Sequence, residues 1–107
     1  MNKYTELSDF EINKKVAENL KLKTIAYERT EIVLFDDMDA TPFDPCNNPT
    51  DAMPIVFENG ISLISDWNEV GVWGATNQPW YSSENKNPLR AAMEVFLMMK
   101  DAENEKV

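Results

Sequence analysis

The sequence contains no histidine and a single cysteine, Cys46. Without histidine there can be no Ser-His or Cys-His dyad, and the commonest general base at neutral pH is missing. One thiol cannot close an internal disulfide, which fits a reducing compartment. One Cys with no His cannot supply the four ligands of a zinc site. No apolar run reaches the length that a membrane span needs. Met1 to Phe10 lacks the basic and apolar regions of a secretory signal. These absences set the expectation of a cytoplasmic protein.

The largest absence is of positive charge. Between Arg29 and Lys86 there is not one Lys or Arg, while the same stretch carries ten acids: Glu31, Asp36, Asp37, Asp39, Asp44, Asp51, Glu58, Asp66, Glu69 and Glu84. The segments on either side are nearly balanced, so the net charge of −9 resides in the acidic segment 31–85. Nucleic-acid affinity rests on Lys and Arg meeting phosphates. An acidic middle repels DNA, RNA and anionic membrane, so neither nucleic acid nor membrane is an expected partner.

What is present suffices for a fold. A chain of 107 residues that is 43% hydrophobic reads as one domain, residues 1–107, with a single core. Ser8-Asp9-Phe10-Glu11 is a capping box flanked by Leu7 and Ile12 as a hydrophobic staple. Ile12, Val16, Ala17 and Leu20 then form one apolar stripe, predicting a helix from about Asp9 to Leu20. Thr24–Tyr27 and Glu31–Phe35 read as two short strands joined by a link without glycine.

Asp36 to Asn48 reads as a loop. Asn48 and Pro49 mark a helix start, which Pro54 is expected to stop within about one turn. Asn59-Gly60 between Ile55–Phe57 and Ile61–Ile64 predicts a hairpin, since both turn residues tolerate positive φ. Val70–Thr76 reads as a further strand and Asn77–Lys86 as a polar loop. Asn87 and Pro88 open a last helix whose core face is Leu89, Ala92, Met93, Phe96 and Leu97. Arg90 and Glu94 lie one turn apart on another face, a pairing worth about a few tenths of a kcal/mol. The charged tail 101–107 is expected to fray. This order predicts an α+β fold: a small antiparallel sheet with an N-terminal and a C-terminal helix packed on one face.

Four blocks carry a resemblance: Tyr4-Thr5-Glu6-Leu7-Ser8-Asp9-Phe10-Glu11-Ile12-Asn13, Cys46-Asn47-Asn48-Pro49-Thr50-Asp51-Ala52-Met53-Pro54-Ile55, Asn59-Gly60-Ile61-Ser62-Leu63 and Asn87-Pro88-Leu89-Arg90-Ala91-Ala92-Met93. In this order, over most of the chain, the sequence resembles the phage NinX-like family of lambdoid phages and enteric prophages. The resemblance implies a phage accessory role in the cytoplasm of a bacterial host. It brings with it no activity and no catalytic or binding residues.

The residues themselves offer three candidate constellations. Asp36, Asp37, Asp39 and Asp44 cluster as carboxylates that suit a hard cation such as calcium or magnesium. The calcium-loop pattern fails, however, because Pro42 and Asn48 stand where Gly and a bidentate Glu belong. A solvated acidic loop is the plainer reading. Trp67, Trp73, Trp80 and Tyr81 lie close together in sequence. Beside carboxylates such rings can cage a cation or anchor an interface, or they can pack in the sheet. Trp80 and Tyr81, in a polar loop next to Pro79, are the ones placed as exposed anchors. Met93, Val95, Met98 and Met99 make the last helix apolar over more than one stripe, which deep burial or a homodimer through that helix would explain. Cys46 lacks any base to activate it and reads as structural.

The leading expectation is a non-enzymatic accessory protein, without cofactor, that binds a basic patch on a host protein. Asp36, Asp37, Asp39 and Asp44 would steer the encounter, and Trp80 and Tyr81 would anchor it. A sharper form is mimicry of nucleic-acid phosphates. The competing expectations are a divalent-metal-binding protein or metal-dependent enzyme using the same four aspartates, and a structural homodimer with no ligand site.

Overall fold

The computed structural model describes residues 2–77 and 81–105. In chain order the elements are α1 (Asp9–Asn19), β1 (Thr24–Tyr27), β2 (Ile32–Phe35), α2 (Pro49–Glu58), β3 (Ser62–Ile64), β4 (Trp73–Asn77), β5 (Tyr81–Asn85) and α3 (Pro88–Glu105). This is the expected α+β class, with a helix near each end.

Helix α1 begins at the capping box. The Glu11 amide donates to the Ser8 hydroxyl and the Ser8 amide donates to the Glu11 carboxylate, each at 3.1 Å. The Ser8 amide, and after it the Ser8 hydroxyl donating to the same carboxylate at 3.1 Å, hold the Glu11 carboxyl below its ordinary pKa. The buried stripe is Phe10, Ile12, Val16 and Ala17, close to the one read from the sequence.

The expected single sheet is two. β1 and β2 form an antiparallel ribbon with Ile25 opposite Leu34 and Tyr27 opposite Ile32. β3, β4 and β5 form a second antiparallel sheet in that order. Helix α3 lies across the three-stranded sheet, α1 and α2 pack against α3, and α1 also meets β2. Ala91 through Leu97 are all buried. The broad apolar surface of α3, Met93 and Val95 included, is therefore covered by the chain's own elements over those two turns. Met98 and Met99 are half-buried against the core.

Five local expectations are corrected. Pro54 does not stop α2, which runs to Glu58. Its ring forfeits one hydrogen bond near the start of the helix, where both Pro54 and Thr50 are exposed, and burial of Ala52, Ile55 and Val56 outweighs that loss. Asn59-Gly60 is not a hairpin turn but the end of α2. Gly60 has φ +62°, its amide donates to the Phe57 carbonyl, and the Ile61 amide donates to the Val56 carbonyl at 3.0 Å. That is the paired bonding of a Schellman cap.

Val70–Val72 precede β4 rather than belonging to it, and Tyr81–Asn85 is a strand rather than a loop. Its polar sequence hides the role: Ser83, opposite Ala75, turns inward and its hydroxyl donates to the buried Glu94 carboxylate. The tail expected to fray continues α3 through Glu105. Tyr4 donates to Asp101 and Lys3 pairs with it at 3.2 Å, tying that turn to the N-terminal segment. Lys106 and Val107 lie outside the described residues. No helix among the described residues is long and apolar enough to cross a membrane.

Candidate functional site

The four aspartates are not brought together. Strand β2 runs directly into Asp36, whose amide donates to the Lys23 carbonyl at 2.9 Å. The Phe35 amide reaches the Thr41 carbonyl at 2.9 Å, closing the loop at its base. Inside it the Asp37 carboxylate accepts from the amides of Asp39 and Ala40 at 3.1 and 2.8 Å. Ala40 takes φ +45° to complete the turn. Asp36 through Ala40 are exposed, and Met38 at the tip is fully so, at 102%.

Asp44 belongs elsewhere. It is half-buried, accepting from Asn13 at 2.7 Å and from Asn47 at 3.2 Å, while its amide donates to Asp51 at 2.9 Å. It is a structural tie between α1 and the entry to α2. Among the described residues no three carboxylates or thiols converge to hold a metal ion.

The aromatic expectations divide in the same way. Tyr81 is not on a loop: it opens β5, is half-buried against the core, and its carbonyl accepts from Thr76 at 2.8 Å. Trp80 lies outside the described residues. Trp73 is half-buried in β4. Trp67 sits in the turn between β3 and β4 with its indole flat on Gly74, so close that a Cβ there would come within 2.3 Å of the ring.

The interior holds the Arg90–Glu94 pair that the sequence put on a face apart from the core stripe. Arg90 is only 6% exposed and Glu94 is 0% exposed. The Arg90 guanidinium donates to Glu94 at 2.7 Å, to Asp9 at 2.6 Å, and to the carbonyls of Tyr4 and Leu7 at 2.8 and 2.6 Å. Burial alone would lower its pKa, but the hydrogen bonds to Asp9 and Glu94 outweigh burial and raise it. One side chain thus joins α3, the start of α1 and the N-terminal segment. The signal for this was present: Ala91, Ala92, Met93 and Val95 to Met99 leave the helix no polar side for an Arg–Glu pair to face.

Cys46 is buried beside this network, its amide donating to Asn13 at 3.1 Å. Burial foremost, then the charge of Asp9, pushes its thiol pKa up, so the thiol stays protonated at neutral pH. Like Arg90 and Glu94 it serves the fold.

The charge on the outside is different in kind. Among the described residues the ion pairs join Lys3 to Asp101, Lys14 to Glu28, Arg90 to Asp9 and Glu94, and Lys100 to Glu103. Among the described residues none of the ten acids from Glu31 to Glu84 takes part in one. Fold and site together define a small α+β protein with an apolar core, a buried Arg90–Glu94 network and, among the described residues, an acidic segment without ion pairs. The model of the family described as Bacteriophage P22, NinX matches residues 3–100, and the chain belongs to that family. No curated protein and no solved structure matches it.

Proposed function

We propose that this phage protein is a non-enzymatic accessory factor that binds a basic surface on a host protein in the bacterial cytoplasm. The observation that carries the reading is that, among the described residues, no ion pair is formed along the acidic segment. Carboxylates already neutralised by the chain's own lysines would attract little. Unpaired ones sum to a potential that speeds encounter with a cationic partner.

The apolar part of the contact falls to the ribbon. Ile25, Tyr27 and Ile32 are exposed, with Tyr27 directly across from Ile32, and Met38 stands beyond them in the acidic loop. An apolar centre with a charged rim is the usual anatomy of a protein interface. Met38, unbranched and polarisable, adapts to an irregular partner. Tyr81 is half-buried, so the anchors in this reading are Ile25, Tyr27, Ile32 and Met38.

The test is a tagged pull-down from bacterial host lysate at low salt, comparing the native protein with D36K/D37K/D39K. The three positions are exposed, so the variant is expected to fold. Capture of a basic protein by the native form and its loss in the variant is the expected result. Equal capture by both forms, or capture of nothing by either, contradicts the proposal.

A further inference from the structure

A groove of about 290 Å³ crosses strand β5, lined by Asn2, Trp67, Asn68, Ser82, Ser83 and Glu84 among others. One wall is a turn closed by its own hydrogen bonds. The turn that carries Trp67 uses two left-handed residues, Asp66 at φ +53° and Gly71 at φ +85°. The Asp66 carboxylate accepts from the Gly71 amide at 2.9 Å, and the Trp67 amide donates to the Val72 carbonyl at 2.9 Å. Gly74 supplies the flat floor on which the indole rests. A non-glycine residue in the left-handed region is costly and persists only where its surroundings enforce it. Here that cost places one indole beside one carboxylate on the sheet.

The hydrogen-bonding capacity left in the groove selects the ligand. The Asn2 side chain is used on both sides, donating to Ser83 at 3.1 Å and accepting from the Tyr4 amide at 2.9 Å. The Ser83 hydroxyl proton goes to Glu94. Asn68 donates to one oxygen of Glu84 at 3.2 Å, which orients that carboxylate, and its second oxygen has no hydrogen-bond partner among the described residues. What remains includes a charged acceptor, the second Glu84 oxygen, with the Asn68 carbonyl and the Ser82 hydroxyl near it, beside the indole N–H of Trp67 and one further N–H on each of Asn2 and Asn68. Among the described residues no Lys or Arg lines the groove. Acceptors around a carboxylate, next to an indole, complement a flat cation with several donors.

We propose that this groove receives an arginine side chain of the protein partner, with the guanidinium against Trp67 and its N–H groups donating to Glu84. This rests on the reading of the protein as a binder of basic surfaces and adds a second, directional contact to it. Glu84 is itself one of the ten unpaired acids.

The experiment is a titration of the full-length 15N-labelled protein with acetyl-Gly-Arg-Gly-amide, following the Trp67 indole N–H and the Asn68 side-chain amide by NMR. The citrulline peptide, which keeps the shape and loses the charge, and the neutral disaccharide maltose serve as competing probes. The arginine peptide is expected to shift both signals and to bind about tenfold more tightly than the citrulline peptide. Glu84→Gln, an exposed position that leaves the fold intact, is expected to remove that difference. No shift with the arginine peptide, equal shifts with citrulline, a preference for maltose, or an unchanged response in E84Q would each overturn the proposal. The D36K/D37K/D39K variant leaves Trp67 and Glu84 untouched. Its failure to alter partner capture would therefore count against steering by the loop and not against this groove.

Discussion

Arg90 and Glu94 stand one helical turn apart on α3 with 2.7 Å between guanidinium and carboxylate, and both are shut away from water. At the surface such a pair would be worth a fraction of a kcal/mol. Buried, it is asymmetric: removing one partner leaves the other charged and unsolvated, whereas replacing both with apolar groups can be nearly neutral. Arg90→Ala is therefore expected to cost about 3–5 kcal/mol, which exhausts much of the stability of an ordinary domain. Arg90→Met with Glu94→Leu is expected to be more stable than Arg90→Ala alone. Urea denaturation of the three proteins decides it. A double variant less stable than the single one would show that the network is worth more than the charges it satisfies.

Helices α1 and α2 end in the same cap with different residues at the left-handed position. Lys21, at φ +57°, closes α1, its amide donating to Glu18 and the Leu22 amide to Ala17 at 3.1 Å each. Gly60 closes α2. Lys21→Gly is expected to raise stability by about 1 kcal/mol and Gly60→Ala to lower it by about as much. A Cβ at Gly60 meets nothing nearer than 3.8 Å, so the second effect is one of backbone alone. Thermal melts of both variants test the pair. A destabilised Lys21→Gly would mean that the α1 cap does not resemble that of α2.

That comparison also shows how far the fold was legible. The capping box at Ser8, the Asn48-Pro49 and Asn87-Pro88 starts and the apolar face of α3 are local signals with one reading each. Asn59-Gly60 has two, because a hairpin turn and a helix C-cap both require positive φ. Only the tertiary packing of Ala52, Ile55 and Val56 chooses between them. Strand β5 was illegible for a related reason: Tyr-Ser-Ser-Glu-Asn has no apolar alternation, since its inward residue is a serine paired with a buried carboxylate. The acidic loop at Asp36, Asp37 and Asp39 could be read directly. The separation of Asp44 from it could not, because that depends on Asn13 and Asn47.

Gly74→Ala is expected to destabilise the protein by about 1–3 kcal/mol, the range for forcing bulk into a close-packed site. The new methyl would sit at 2.3 Å from the Trp67 ring and push it off the sheet. Tryptophan emission from the folded variant should move to longer wavelength as the indole meets water. Unchanged emission and stability would mean that the Trp67 turn yields without loss.

Raising the pH should destabilise the protein from about pH 9 upward. Burial first, then the hydrogen bond to Asp101 and its charge, lifts the Tyr4 phenol above its ordinary 10.0, and burial lifts the Cys46 thiol above its ordinary 9.0. Both groups are neutral in the fold, so the stability they contribute is complete below those ordinary values. It is lost as the unfolded chain ionises first. Melting temperatures across this range should fall, with Cys46→Ala delaying the onset to about pH 10. A flat profile would contradict the burial of both groups.

The central claim is that unpaired surface acid drives association, and the most direct measurement is the association rate with the captured partner as ionic strength rises. The account predicts a rate that falls by about tenfold or more between low salt and a few tenths molar. It also predicts a D36K/D37K/D39K rate that starts low and changes little. A native rate indifferent to salt, or a variant that associates as fast as the native protein at low salt, would contradict it.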